Sequence, residues 1–261
     1  MMKRLRVLLF IVPFMTMACT GGNSNVRDNS DSDNKASSIT NVQLGVGYIK
    51  RGELDVAREK LTRAIDQDPK NVDAYTTMAY LMMQMNEMDE AENYYLEALD
   101  IKKNRPDIHN SYGTYLCKVG RLDEAMEEFK IAFTNPYYDT PYLAYSNAGT
   151  CLMGIQNYTM AEKFLRKALK QQPKLSDALI SMAEIGIETK KYLMARAYIQ
   201  RFHEINKPTA ESLWVQVQAE KALGAKEHYL KYARQLLNEF PDSQQAARVQ
   251  ELTRNDRTRR N

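Results

Sequence analysis

The chain has 261 residues, of which 44% are hydrophobic and 26% charged. That is too apolar for a disordered chain and ordinary for a globular one. The formal net charge is +3, but Lys3, Arg4 and Arg6 lie at the extreme N-terminus, and without them Lys+Arg falls from 36 to 33 against 33 Asp+Glu. The body of the chain is therefore close to neutral. This argues against nucleic acid as a partner, because binding it needs a basic surface that releases counterions.

Residues 1–18 read as a secretory signal. Lys3, Arg4 and Arg6 form a positive start, and Val7 to Met17 supplies a short apolar core interrupted by Pro13 and Thr16. That core is too short to span a bilayer, which needs about 20 apolar residues. The group Thr16-Met17-Ala18-Cys19 is similar to a lipobox, with Thr16 where Leu is usual. It predicts that Cys19 is lipidated and begins the mature chain. Several acyl chains give stable anchoring, since each buried CH₂ contributes about 0.8 kcal/mol. Thr20, in place of an Asp, favours the outer membrane over retention at the inner one, with the chain facing the periplasm. Residues 19–37 are polar and predict a flexible linker.

From residue 38 a repeat emerges. Small residues recur at Ala57, Ala91, Ala125, Ala161 and Ala195, with steps of 34, 34, 36 and 34. A second column is Gly45, Ala79, Gly113, Gly149 and Ala183. A third is Ala64, Ala98, Ala132 and Ala168, turning bulky at Phe202 and Leu236. A unit of this length holds two helices of three to four turns and two short connections. Gly or Ala lets helix backbones approach closely, and Leu61, Tyr95, Phe129 and Leu165 fill the space beside them. Gly52, Gly120 and Gly224 fall between the paired helices, and Pro69, Pro173 and Pro241 close units. The pattern is that of tetratricopeptide repeats, and it predicts an all-α, right-handed superhelical solenoid. Six units are predicted, at 38–71, 72–105, 106–141, 142–175, 176–209 and 210–243. The third has two extra residues in its NPYYDTP segment. The sixth is degenerate, with Val217 and Tyr229 in place of small residues, as befits a terminal repeat. Residues 244–261 predict a C-terminal cap, helical over 244–252, and a basic, frayed tail.

Nothing in this pattern suggests catalysis. Gly45-Val46-Gly47 lies inside a predicted helix and lacks the rest of a phosphate-binding fingerprint. His109, His203 and His228 are scattered and show no metal-ligand spacing. Pairs such as Asp89-Glu90 and Glu127-Glu128 read as solvated helix faces. No enzyme activity, cofactor, metal or small-molecule substrate is expected. Cys117 and Cys151 are 34 residues apart, on the first helices of adjacent units. They are either a disulfide across the two repeats, permitted in an exported chain, or two buried thiols. Neighbouring helices usually lie 8–10 Å apart and a bridge needs Cα atoms within roughly 7 Å, so close packing at Gly113 and Gly149 would favour it.

The first helices of such an array line its concave face. Val42, Val46 and Ile49 in the first unit, spaced i, i+4, i+7, and Tyr80 and Met83 in the second are expected to form an apolar, partner-binding stripe. Asn110, Thr114, Ser146 and Thr150 make the groove more polar further on. The other methionines near Met83 (Met78, Met82, Met85, Met88) are expected to pack in the core. An apolar stripe suits an amphipathic helix or hydrophobic segment.

Several stretches resemble a family of type IV pilus biogenesis and stability lipoproteins, PilF or PilW. They are NVQLGVGYIKRGELDVAREKLTRAIDQDP (41–69), NSYGTYLCKVGRLDEAMEEF (110–129), NAGTCLMGIQNYTMAEKFLRKAL (147–169), YLMARAYIQRF (192–202), ESLWVQVQAEKALG (211–224) and FPDS (240–243). The generic repeat residues carry little of this likeness. Leu116-Cys117, Thr150-Cys151 and Glu211-Ser212-Leu213-Trp214 carry more. The resemblance implies a pilotin, a lipoprotein that helps the secretin of the pilus machine reach the outer membrane and multimerise there. The competing expectation is an adaptor in another cell-envelope assembly complex.

Overall fold

The computed structural model describes residues 24–258. The signal segment and Cys19 lie outside them. The described chain is thirteen helices with no strand. They follow one another as antiparallel pairs: α1 (Ser24–Arg51) with α2 (Leu54–Gln67), α3 (Val72–Gln84) with α4 (Met88–Ile101), α5 (Pro106–Lys118) with α6 (Leu122–Thr134), α7 (Pro141–Gly154) with α8 (Tyr158–Gln171), α9 (Ser176–Glu188) with α10 (Tyr192–His203), and α11 (Ala210–Ala222) with α12 (Lys226–Glu239). The helix α13 (Gln244–Thr258) closes the end. Each odd helix also packs on the next odd one, so the odd helices form one continuous layer. The stack is a tetratricopeptide solenoid.

Local chemistry sets the helix boundaries. Pro106 and Pro141 open α5 and α7, where a missing N–H costs nothing. The Asn71 and Asn157 side chains accept from Asp73 N and Met160 N and cap α3 and α8. Thr209 and Ser212 cap α11 reciprocally, each side chain accepting from the other's backbone N–H. Within every pair the connection passes through a left-handed residue. Gly52, Gly120 and Gly224 take it in three pairs, and Asn86, Gln156 and Lys190 take it in the other three, at φ of about 60°. The following N–H then reaches back to the helix end, as in Arg121 N to Leu116 O at 2.8 Å.

The small-residue columns are the helix crossings. Ala57, Ala91, Ala125, Ala161 and Ala195 are fully buried, as are Ala64, Ala98, Ala132 and Ala168. A Cβ placed on Gly45 would stand 2.8 Å from Leu61, one on Gly113 2.9 Å from Phe129, and one on Gly149 2.7 Å from Leu165. The large residue of each second helix therefore fills the space its partner's glycine leaves. These fillers link into three consecutive core clusters. The first centres on Leu61, Tyr95 and Phe129, the second on Leu165, Met182 and Ile199, and the last on Leu213, Val217 and Leu236. Met78 and Met82 are core residues, and Met85 and Met88 pack against the core. In the sixth unit Val217 and Tyr229 are buried with Ala246 and Val249 of α13. Their bulk fills the space against a cap instead of a seventh repeat.

Two boundaries differ from the sequence expectation. Residues 24–37, expected as part of a flexible linker, belong to α1. No Gly or Pro interrupts the chain from Ser24 to Thr40. Once the packed part of α1 has formed, the helix extends upstream without a new nucleation cost. Ser38 fixes the packed part: it is fully buried, donates to Ala64 O at 2.7 Å and accepts from Asn71 Nδ2 at 2.8 Å. At the other end α13 runs on to Thr258, through residues expected to fray. Among the described residues no helix is long and apolar enough to cross a membrane.

Candidate binding groove

The odd helices turn one face away from their partners, and along it runs a groove in three sections. The first, of about 330 Å³, is lined by Val46 on α1, by Thr76, Thr77, Tyr80 and Met83 on α3, by Tyr95, and by Ser111 and Thr114 on α5. Val46 is 36% and Tyr80 47% exposed, high for side chains of this size on a packed helix, while Met83 forms the floor at 6%. The Met83 sulfur accepts from the Tyr95 hydroxyl at 3.5 Å. Thr76 and Thr77 donate to the carbonyls of Val72 and Asp73, so their hydroxyls are satisfied within the helix.

Of the five residues expected here, Val46, Tyr80 and Met83 come together. Val42 and Ile49 do not line the section; both pack against the first core cluster. At about 100° per residue, Val42 and Ile49 sit within about 20° of each other, and Val46 is turned some 40–60° from both. That rotation leaves Val46 on the open side while the other two face inward. Thr76, Thr77, Tyr95 and Ser111 were not expected. Thr76 and Thr77 stand one turn before Tyr80, a signal the sequence carried. Tyr95 comes from a second helix, and only packing reveals it.

The middle section, about 320 Å³, is lined by Thr114, Ser146, Asn147, Thr150, Asp177 and Ser181 around a Cys117–Cys151 disulfide. The Cα atoms of the two cysteines are 5.8 Å apart. That distance is within the reach of a disulfide, and Gly113 and Gly149 do not set it: each packs within its own pair, Gly113 against Phe129 of α6 and Gly149 against Leu165 of α8. Asn147 Nδ2 donates to Asn110 Oδ1 at 3.0 Å and ties α7 to α5 beside the bridge. Asn110 is buried in that contact, whereas Thr114 and Thr150 are exposed.

The third section, also about 320 Å³, was not anticipated. Glu184, Ile187 and Glu188 on α9 face Glu211, Trp214 and Val215 on α11, and Arg248 of α13 borders it. Burial pushes the Glu184 carboxyl up to about 7, with the neighbouring Glu211 and Glu188 adding to the shift. The Arg248 guanidinium lies 5.9 Å from the centre of the Trp214 ring.

The histidines serve the framework. His109 is buried and holds Glu128 Oε2 at 2.5 Å and Lys103 O at 2.7 Å. Burial opposes its charge, but these two acceptors outweigh burial and its pKa is raised. His203 Nε2 lies 2.9 Å from Ser212 Oγ, and Ser212 is a fully buried helix cap. His228 stands 3.9 Å from Glu220. Among the described residues no group of three His, Cys, Asp or Glu side chains is placed to hold a metal ion.

Comparison with known proteins places this architecture. Residues 48–114 and 142–175 match the tetratricopeptide repeat family. The chain is thus a tetratricopeptide-repeat protein. The type IV pilus assembly protein PilF of Pseudomonas aeruginosa is 24% identical over 243 residues, which is 93% of this chain and 96% of that protein. The crystal structure of PilW, described as a widely conserved type IV pilus biogenesis factor, superposes with a TM-score of 0.72 at 29% identity. The match covers 81% of this chain and 97% of PilW. The P. aeruginosa PilF structure shares the fold, with a TM-score of 0.71 at 23% identity over 87% of this chain and 99% of that one. Along nearly its whole length this is a PilF/PilW-like tetratricopeptide-repeat protein.

Proposed function

We propose that this protein is a non-catalytic scaffold of type IV pilus biogenesis that acts as a pilotin. It binds the secretin of the pilus machine and promotes secretin localisation to the outer membrane and multimerisation. Acyl chains on Cys19 hold it at the outer membrane, facing the periplasm. Likeness to PilF and PilW over the full array supports the pilus assignment. The observation that carries the binding role is the first section of the groove, where Val46 and Tyr80 leave apolar surface open beside Met83. A secretin segment held before membrane insertion needs such a surface, because its own apolar face would otherwise meet water.

Co-purification tests the reading. The wild type and Val46→Asp are tagged at the C-terminus, extracted gently from the envelope, and their partners identified. Secretin should accompany the wild type and be reduced at least tenfold with Val46→Asp, while the two proteins show the same helicity. An unaltered yield with Val46→Asp would reject the groove assignment. Absence of secretin from both would reject the pilotin role and favour an adaptor in another envelope complex, which the recovered proteins would identify.

A further inference from the structure

The groove changes character along its length. Its first section is apolar and hydroxyl-lined, its middle carries small polar side chains around the disulfide, and its third carries Glu184, Glu188 and Glu211 beside Trp214. The sections are continuous. Thr114 belongs to both the first and the second. Asp177, Ile180, Ser181, Glu184, Ile187 and Glu188 form one stripe down α9, spaced i, i+3, i+4, i+7, that joins the second to the third. We infer that the third section takes a basic side chain, arginine or lysine, of the same protein segment whose apolar part lies in the first. This rests on the groove being the partner-binding surface. It adds a direction of binding and a charge requirement that the apolar stripe alone does not supply.

Two independent features define the occupant. One is charge complementarity. The three glutamates come from two neighbouring helices, and none forms an ion pair with a described residue. Ile187 and Val215 line the same wall and suit the aliphatic stem of a long basic side chain. The other is that this aromatic face already receives a guanidinium, that of Arg248. Arg248 sits on the exposed surface of α13, so the chain's own cation shows the mode of contact without filling the section. From α3 to α11 the groove crosses four steps between neighbouring odd helices, roughly 8–10 Å each. The span of about 32–40 Å corresponds to about 10–12 extended residues.

Trp214 is the single tryptophan of the chain, so its fluorescence reports on the third section directly. The probes are two synthetic 12-residue peptides. One has four Val/Leu residues at one end and two Arg at the other; its twin carries Gln in place of Arg. Both are made in both chain directions and titrated against the whole protein. The Arg peptide should shift Trp214 emission and bind at least tenfold more tightly than its twin in one direction. That preference should fall to within threefold in Glu184→Gln/Glu211→Gln and at high salt. Val46→Asp should weaken both peptides alike and leave their ratio intact. Equal binding of the two peptides, or an unchanged preference in the double variant, would overturn the inference while leaving the groove reading standing. Failure of every peptide to bind would sink both. Circular dichroism on the double variant, and Trp214→Phe read by calorimetry, separate loss of the contact from loss of the fold.

Discussion

Gly186 shows how far a single residue can matter in this stack. It belongs to none of the repeating columns, yet a Cβ there would stand 2.6 Å from Ala195 N and 2.8 Å from Ala195 Cα. At Gly45, Gly113 and Gly149 the nearest atom is part of a side chain that can turn. Ala195 presents its backbone, which can yield only if α10 moves. Alanine is the better helix former by about 1 kcal/mol, so an exposed glycine would gain from the change. Here overpacking should win, and Gly186→Ala should destabilise by roughly 1–3 kcal/mol in chemical denaturation. Glu184 makes the opposite case, a residue that carries strain. Its folded pKa of about 7 exceeds the ordinary carboxylate value of 4.5, so the folded chain holds this proton more tightly than the unfolded chain. Its contribution to stability is therefore greatest below pH 4.5 and falls as pH rises through 7. Glu184→Gln should melt like the parent at pH 4 and at a higher temperature at pH 8. Equal melting temperatures at pH 8 would show that the carboxylate is adequately solvated in the groove.

At the scale of the element, the left-handed residue between paired helices is the feature that sequence reading found only in half. Gly52, Gly120 and Gly224 were legible as helix stops because glycine announces a positive φ. Asn86, Gln156 and Lys190 occupy the same place, 34 residues on or, across the longer third unit, 36. Asparagine takes this conformation more readily than other residues with a Cβ, so Asn86 carried a weak signal, but Gln156 and Lys190 are marked by register alone. For a residue with a Cβ that conformation costs roughly 1–2 kcal/mol, while glycine gives back about 0.4–1 kcal/mol through a freer unfolded chain. Lys190→Gly should therefore stabilise by about 0.5–1 kcal/mol, read as a shift of the denaturation midpoint at constant slope. A loss of stability would mean that the Lys190 side chain contributes more than its backbone costs. The N-terminal helix teaches a related lesson. Its polar composition suggested a tether, but composition alone could not show that a packed helix beginning near Ser38 would carry the upstream residues along.

For the whole molecule, periodicity made the solenoid readable, because alanine and glycine columns at a 34-residue step have few other physical uses. The same periodicity hid the binding surface. Groove residues interrupt the repeat, differ from unit to unit, and join side chains from successive helices. Val46 and Tyr80 stood out only as apolar residues on first helices. The acidic third section was not legible, because Glu184 and Glu188 meet Glu211 and Trp214 only when α9 packs beside α11. The disulfide belongs to this scale as well. A stack of repeats is stabilised by contacts between neighbours only, so its halves can unfold separately. Cys117–Cys151 joins the third pair to the fourth covalently, at the middle of the array. Closing a loop of 34 residues removes unfolded-state entropy worth roughly 4 kcal/mol. At roughly 2–4 °C per kcal/mol for a chain of this size, reduction should lower the melting temperature by about 8–16 °C. It should also broaden the transition, because the two halves lose their covalent coupling. Cys117→Ser/Cys151→Ser should reproduce both effects without reductant. A sharp transition at the parental temperature in the reduced protein would mean that the packing of α7 on α5 and α6, with the Asn147–Asn110 hydrogen bond, already couples the halves, leaving the bridge to fix the floor of the groove.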